Sequence, residues 1–260
     1  MSTLTSPPAR PRWRRGPHLL AVAVRFLTRL PVPDVDERPG DLSRARAAFP
    51  VVGAIVAAVE IAVAALAWWL LPPLPAAVLV VLVGVACTGA FHEDGLADSF
   101  DGLWGGWTRE RRVEIMRDSR IGTYGTVALV GCLMLRVSLL AGLTLPDLVR
   151  VVVAGHVLAR VAVVAVSATS RPAVPEGSGG AVTGPLGGFA IAFVSVVATG
   201  TLAGTFGGGA WAPLVAGTLA ALAMRGIAHR RIGGVVGDIL GAVAMCTLVA
   251  VQAAGVAVLR

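Results

Sequence analysis

Residues 91–106, FHEDGLADSFDGLWGG, carry four carboxylates at the end of an apolar segment. If the stretch is helical, Asp94, Asp98 and Asp101 fall at i, i+4 and i+7 and share an arc of about 60° at roughly 100° per residue. Like charges stacked this way repel unless something positive sits among them. Hard oxygen ligands suit Mg²⁺, Mn²⁺ or Ca²⁺, and Mg²⁺ commonly shares its shell with substrate phosphates. Glu93 precedes the row, and glycines at 95, 102, 105 and 106 allow backbone to approach a ligand. The plain alternative is a solvated acidic helix face. The row by itself points to a divalent metal and a phosphate.

A second group follows at 107–129, WTRERRVEIMRDSRIGTYGTVAL. Residues 108–117 read as a surface helix with Thr108 as its N-cap. Asp118, Ser119 and Arg120 then lead to Gly122 and Gly125 at the mouth of the next apolar run. Polar residues and glycines at a helix start offer backbone N–H groups to an anion, and Arg117 and Arg120 add planar donors that match phosphate oxygens. An ordinary cap with flanking arginines is the competing reading. A third group, HRRIGGVVGDILGA at 229–242, sets Asp238 among glycines, either to cap the last helix or to complete a phosphate or metal site. The glycine-rich stretch 175–188 lacks a strand, a lysine and the fingerprint spacing of a nucleotide loop.

The elements that must position these groups are membrane spans. The chain is 56% hydrophobic and 14% charged, with mean hydropathy +0.79. Apolar runs at 51–71, 76–91, 123–143, 149–169, 186–204, 210–228 and 239–259 give about seven spans. The expected fold is an all-α polytopic helical bundle, one membrane-embedded domain over 19–260, behind a disordered basic tail at 1–18. Arg25 and Arg29 interrupt the segment 19–31, so it reads as an amphipathic interfacial helix rather than a signal peptide.

Arginine-rich connections alternate with nearly bare ones at 71–75, 144–148 and 205–210, which predicts a cytoplasmic amino terminus and a cytoplasmic acidic row. The net charge of +7 sits in these connections and does not imply nucleic acid. All 22 basic residues are arginine, which excludes a P-loop lysine and a Schiff-base lysine. Cys87, Cys132 and Cys246 are far apart and expected to be free thiols. Glu60, Arg136, Arg150 and Arg160 lie in or at the edges of apolar runs. Arg136 and Arg160 are expected to pair with acids or bind an anionic substrate, and Arg150 to snorkel; Glu60 stays unassigned.

Taken in order, FLTRLPVP at 26–33, FHEDGLADSFDGLWGG at 91–106, EIMRDSRIGTYG at 114–125 and GGVVGDILGA at 233–242 resemble the cobalamin synthase family, membrane adenosylcobinamide-GDP ribazoletransferases. The resemblance covers nearly the whole chain after the tail. It implies that α-ribazole or its 5′-phosphate attacks the pyrophosphate of adenosylcobinamide-GDP, releasing GMP and forming adenosylcobalamin or its 5′-phosphate. It also implies a need for Mg²⁺. On this view Glu93, Asp94, Asp98 and Asp101 hold the metal, and Arg117, Arg120, Ser119, Arg29 and Asp238 form the phosphate-binding group. Asp118 or Asp238 then binds metal or deprotonates the ribazole hydroxyl, with His92 as an alternative base. The partners are the two substrates and the lipid bilayer, with homo-oligomerisation left open. The chemistry also resembles that of CDP-alcohol phosphotransferases, but no arginine stands at the matching place after Asp94-Gly95-Leu96-Ala97. An ion-coupled transporter is the rival from another class; it predicts acids at mid-membrane rather than at one face.

Overall fold

The computed structural model describes residues 12–174 and 178–260. Apart from one parallel bridge between Pro172 and Val235, the described residues form helices and their connections. The helices are α1 (Arg12–Leu27), α2 (Asp41–Ala45), α3 (Phe49–Leu70), α4 (Pro73–Thr88), α5 (Phe91–Gly105) and α6 (Arg109–Met116). They continue as α7 (Thr123–Ala141), α8 (Leu145–Thr169), α9 (Ser178–Val182), α10 (Gly188–Phe206), α11 (Trp211–Ile232) and α12 (Gly237–Leu259).

Six helices are long and apolar enough to cross a membrane, and α4 with α5 passes the same test only as a pair bent by 88°. The expected seven runs are therefore present, but the second turns sharply before the acidic row. α8 is the central helix: 72% of its apolar window is buried, against 17% for α7 and for α10. Lipid-facing sides follow from that difference, with Val127, Met134, Val196 and Leu219 exposed. The hydrophobic effect does not drive association of such helices in lipid, so close packing and polar contacts must.

The polar contacts form one buried group at the centre. Arg136 on α7 donates from Nη2 to both carboxylate oxygens of Glu60 on α3, at 3.1 and 3.3 Å. His156 on α8 lies with Nε2 3.0 Å from Glu60 Oε1, and Arg160 Nη1 donates to its Nδ1 at 2.9 Å. Gln252 on α12 accepts from Arg136 Nε at 3.4 Å. Glu60 and Arg136 are 0% and 1% exposed, so each is the other's compensation in a medium that would otherwise penalise both. Arg150, by contrast, pairs with Asp147 at the surface at 3.3 Å. The three cysteines are free.

α1 starts at Arg12 and stops at Leu27, earlier at both ends than the sequence suggested. It takes in residues 12–18 of the expected tail; residues 1–11 lie outside the described residues. Val22, Ala23, Val24 and Leu27 are buried, Phe26 stacks on Phe49 at 5.9 Å, and the helix packs on α2 and α3. Arg29 therefore falls beyond the helix, and the expected Arg25–Arg29 face does not form.

Candidate active site

The connections at one end of the bundle are tied by arginines that donate to backbone carbonyls. Arg46 bonds Val182 O, Gly184 O and Pro185 O at 2.6–3.0 Å, which fixes the glycine-rich stretch after α9. Arg109 Nη2 donates to Ala173 O at 2.8 Å and Arg112 Nη1 to Arg231 O at 3.0 Å. Arg231 in turn donates to Leu103 O and lies over the Trp104 ring at 5.0 Å. The sequence marked these arginines only as loop charges, because a carbonyl acceptor leaves no trace in residue type.

α4 ends where Gly89 and Ala90 take φ values of 64° and 59°, the left-handed turn that bends the chain into α5. Arg29 closes this corner: its N–H donates to Cys87 O at 2.8 Å, and its side chain lies over Gly89. α5 then crosses α12 at a glycine contact. A Cβ on Gly95 would stand 2.9 Å from Asp238 O, and one on Gly241 would stand 3.1 Å from Gly95 Cα. This crossing carries Asp94 and Asp98 on α5 up to Asp238 in the first turn of α12. Asp98 is within electrostatic range of Asp94, Asp238 and Asp101, and Asp238 within range of Asp94 and Arg117. Asp94 is exposed, Asp98 and Asp238 half-buried, and among the described residues none of the three forms an ion pair.

Asp101 has other work. Its carboxylate accepts from the N–H of Gly122 at 2.7 Å and of Gly125 at 2.9 Å. An anion at the start of α7 meets unpaired donors and the positive end of the helix dipole. The glycine N–H groups expected to seat a phosphate are thus bonded by the protein's own carboxylate, and Asp101 is turned toward α7. The physical reason lies in the helix period: Asp101 sits about 60° round from Asp98, far enough to face α7 instead of α12.

Glu93 faces the interior instead. It is buried, and its charge acts on Arg160 in the central polar group. His92 is 4% exposed, close to Arg160 and His156, with Nδ1 unpartnered. Residues adjacent on a helix point about 100° apart, so both side chains face the bundle interior while Asp94 faces out. Consistently, among the described residues no three His, Cys, Asp or Glu side chains stand close enough to enclose a metal ion.

α6 starts as expected, with Thr108 Oγ1 accepting from the Arg111 N–H at 3.2 Å. Beyond it Asp118 is clasped by Arg120 through Nε at 3.0 Å and Nη2 at 2.7 Å, and it also accepts the Arg120 N–H at 3.1 Å. These bonds hold the Asp118 carboxyl down at about 2. A carboxylate so stabilised is a poor proton acceptor, and Asp118 ties the loop to Arg120. Asp118→Asn is expected to lower kcat by less than about tenfold, against about 10²–10⁴ for loss of a general base. The pH–rate profile of the variant, compared with wild type, checks this. Ser119 and Arg117 are exposed beside the clasp.

The fold and site define a polytopic membrane protein, helical through its described residues, with a carboxylate group at one end of its bundle that forms no ion pair among them. Residues 19–256 match the family model described as CobS, cobalamin-5-phosphate synthase, and the chain belongs to that family. It is 44% identical over 233 residues to a Bradyrhizobium diazoefficiens protein named adenosylcobinamide-GDP ribazoletransferase, covering 86% of this chain and 87% of that one. An Azorhizobium caulinodans protein of the same name is 41% identical over 239 residues, covering 86% and 89%. No solved structure matches.

Proposed function

We propose that this chain transfers the phosphocobinamide group of adenosylcobinamide-GDP to a hydroxyl of α-ribazole or α-ribazole 5′-phosphate, releasing GMP, at the end of cobalamin synthesis. The observation that carries the reading is that Asp94, Asp98 and Asp238 lie within electrostatic range along the α5–α12 crossing, with Arg117 in range of Asp238, in a chain that matches the family along nearly its whole length. In the reaction the ribazole hydroxyl oxygen bonds to the phosphorus that carries cobinamide, the bond from that phosphorus to the GMP oxygen breaks, and the hydroxyl proton is released to water.

The donor set fits a Mg²⁺ ion brought with the substrate. The oxygens are hard, the carboxylates form no ion pair among the described residues, and Mg²⁺ ordinarily takes one or two carboxylates and completes its shell with phosphate and water. Asp94 and Asp98 are the residues that would hold it, with Asp238 across the helix contact. When bound, the ion neutralises charge on the attacking and leaving oxygens. The protein's own part is to orient: Arg117 binds phosphate oxygens from the α6 side, and the α5–α12 contact fixes the distance between carboxylates. A recess of about 450 Å³ bordered by Arg109, Glu110, Arg117 and Ala173 shares Arg117 with the group and has the size of a small-molecule site. The arginine-rich connections stand at this same end, which supports an inner-membrane protein with its site in the cytoplasm.

The test is the purified protein in liposomes with adenosylcobinamide-GDP and α-ribazole 5′-phosphate, following GMP and cobamide. Product should form with Mg²⁺, vanish on chelation and return when Mg²⁺ is restored. Full turnover in chelator would refute the metal reading. No turnover in either condition by a folded protein would refute the reaction.

A further inference from the structure

α10 and α11 are consecutive in sequence, yet beyond the Gly207–Gly209 turn they hardly touch one another. Between them lies a cavity of about 460 Å³ whose floor is α8 and α12 and whose fourth side is open. Its effect on α8 is plain: Val164 and Val166 are 1% and 3% exposed, whereas Ala165 between them is exposed, on the helix that is otherwise the most enclosed. A slot of this kind in a bilayer does not stay empty, because interiors pack closely and the surrounding solvent is acyl chain.

Its dimensions and chemistry are those of one lipid chain. The lining runs along α8 from Leu158 to Thr169, about 16 Å at 1.5 Å per residue, close to half of a hydrocarbon core about 30 Å thick. The walls are apolar, with Ala198, Leu214 and Val251 among them and Thr218 and Thr247 the exceptions partway along. A charge stands only at the end nearer the candidate active site, where α8 finishes and Arg225 projects from α11. Arg225 donates from Nε to Ser170 Oγ at 3.1 Å and from Nη2 to Thr169 O at 2.7 Å, which leaves Nη1 uncommitted. Among the described residues no acid pairs with it. Arg171 and Arg225 both act on His229, so the mouth of the slot is basic, and among the described residues no carboxylate pairs with either arginine.

We propose that the slot between α10 and α11 is a binding site for one anionic phospholipid, an acyl chain lying along Ala165 and the headgroup phosphate bonded by Arg225. A guanidinium held in a fixed orientation by two bonds and level with a span end is matched to a phosphate in the headgroup layer. This site is separate from the carboxylate group and independent of the reaction proposed for it.

The experiment uses full-length, delipidated protein in detergent, titrated with phosphatidylglycerol or phosphatidylcholine and read by native mass spectrometry and by thermal unfolding. Wild type should retain one phosphatidylglycerol, at least about tenfold more tightly than phosphatidylcholine, and unfold at a higher temperature with it. Arg225→Gln should bring the two lipids level. Ala165→Phe, which leaves the Arg225 bonds to α8 intact, should remove the retained lipid while the lipid-free protein melts as wild type does. Equal retention by wild type and both variants means an unspecific lipid belt and overturns the proposal. Displacement of the phosphatidylglycerol by stoichiometric α-ribazole also overturns it, since the slot would then be a substrate passage.

Discussion

Asp98→Asn is expected to lower kcat/KM by about 10³-fold or more, roughly 4 kcal/mol of transition-state stabilisation, while its melting temperature stays level or rises. Both effects have one cause. Asp98 shares its surroundings with Asp94, Asp238 and Asp101 and has no ion-pair partner among the described residues. Its charge costs the free protein repulsion and pays only when a cation and phosphates arrive. Asp101→Asn should behave in the opposite sense. An amide keeps one acceptor oxygen, so one of the two bonds to the Gly122 and Gly125 N–H groups is lost together with the charge at the head of α7. Charge-assisted bonds of this type contribute about 1.5–3 kcal/mol each, and the melting temperature should fall. Activity and thermal unfolding measured on both variants separate the two carboxylates. If Asp98→Asn melts early, or Asp101→Asn loses activity at an unchanged melting temperature, the division of labour is wrong.

Gly125→Ala is expected to be as damaging as loss of Asp101 itself. A Cβ there would collide with the Asp101 carboxylate and stand 2.7 Å from Ala97 O on the backbone of α5. The side chain could turn away only by giving up its bonds to α7, and the helix backbone cannot turn away at all. Overpacking costs about 1–3 kcal/mol and the lost bonds add to it, for a combined destabilisation of about 3–5 kcal/mol. The variant should unfold early and lose activity even with saturating Mg²⁺. Gly131→Ala, on the same helix with nothing within 4 Å of the added methyl, is the control and should match wild type. A stable, active Gly125→Ala protein would show that Asp101 does not hold α7 in place.

The spans were legible because a run of about 20 apolar residues has few other uses. The helical acidic row and the Thr108 cap were legible for similar reasons, since each is a local pattern. What the sequence could not convey was direction. Asp94, Asp98 and Asp101 share an arc in projection, but α12 approaches one edge of it and α7 the other, and only the fold decides which carboxylate meets which. The bend at Gly89–Ala90 was half visible: glycine is an ordinary residue for a left-handed turn, and alanine gives no warning. Asp238 stood between two roles until the Gly95–Gly241 contact placed it beside the row. Glu60 had no assignment, because its partners come from runs far along the chain.

That last separation has a consequence for how the protein is made. Glu60 enters the bilayer with α3, and Arg136 is synthesised 76 residues later. At about 5–20 residues per second the glutamate waits about 4–15 s for its cation. During that interval α3 must be held by its own apolar residues, which outweigh the cost of one charge near a helix centre, about 3 kcal/mol. Once α7 arrives the pair closes, and α8 brings His156 and Arg160 to the same place. A nascent chain arrested before α7 therefore carries Glu60 without its cation, protonated and neutral within the membrane, a feature that distinguishes unfinished copies from finished ones.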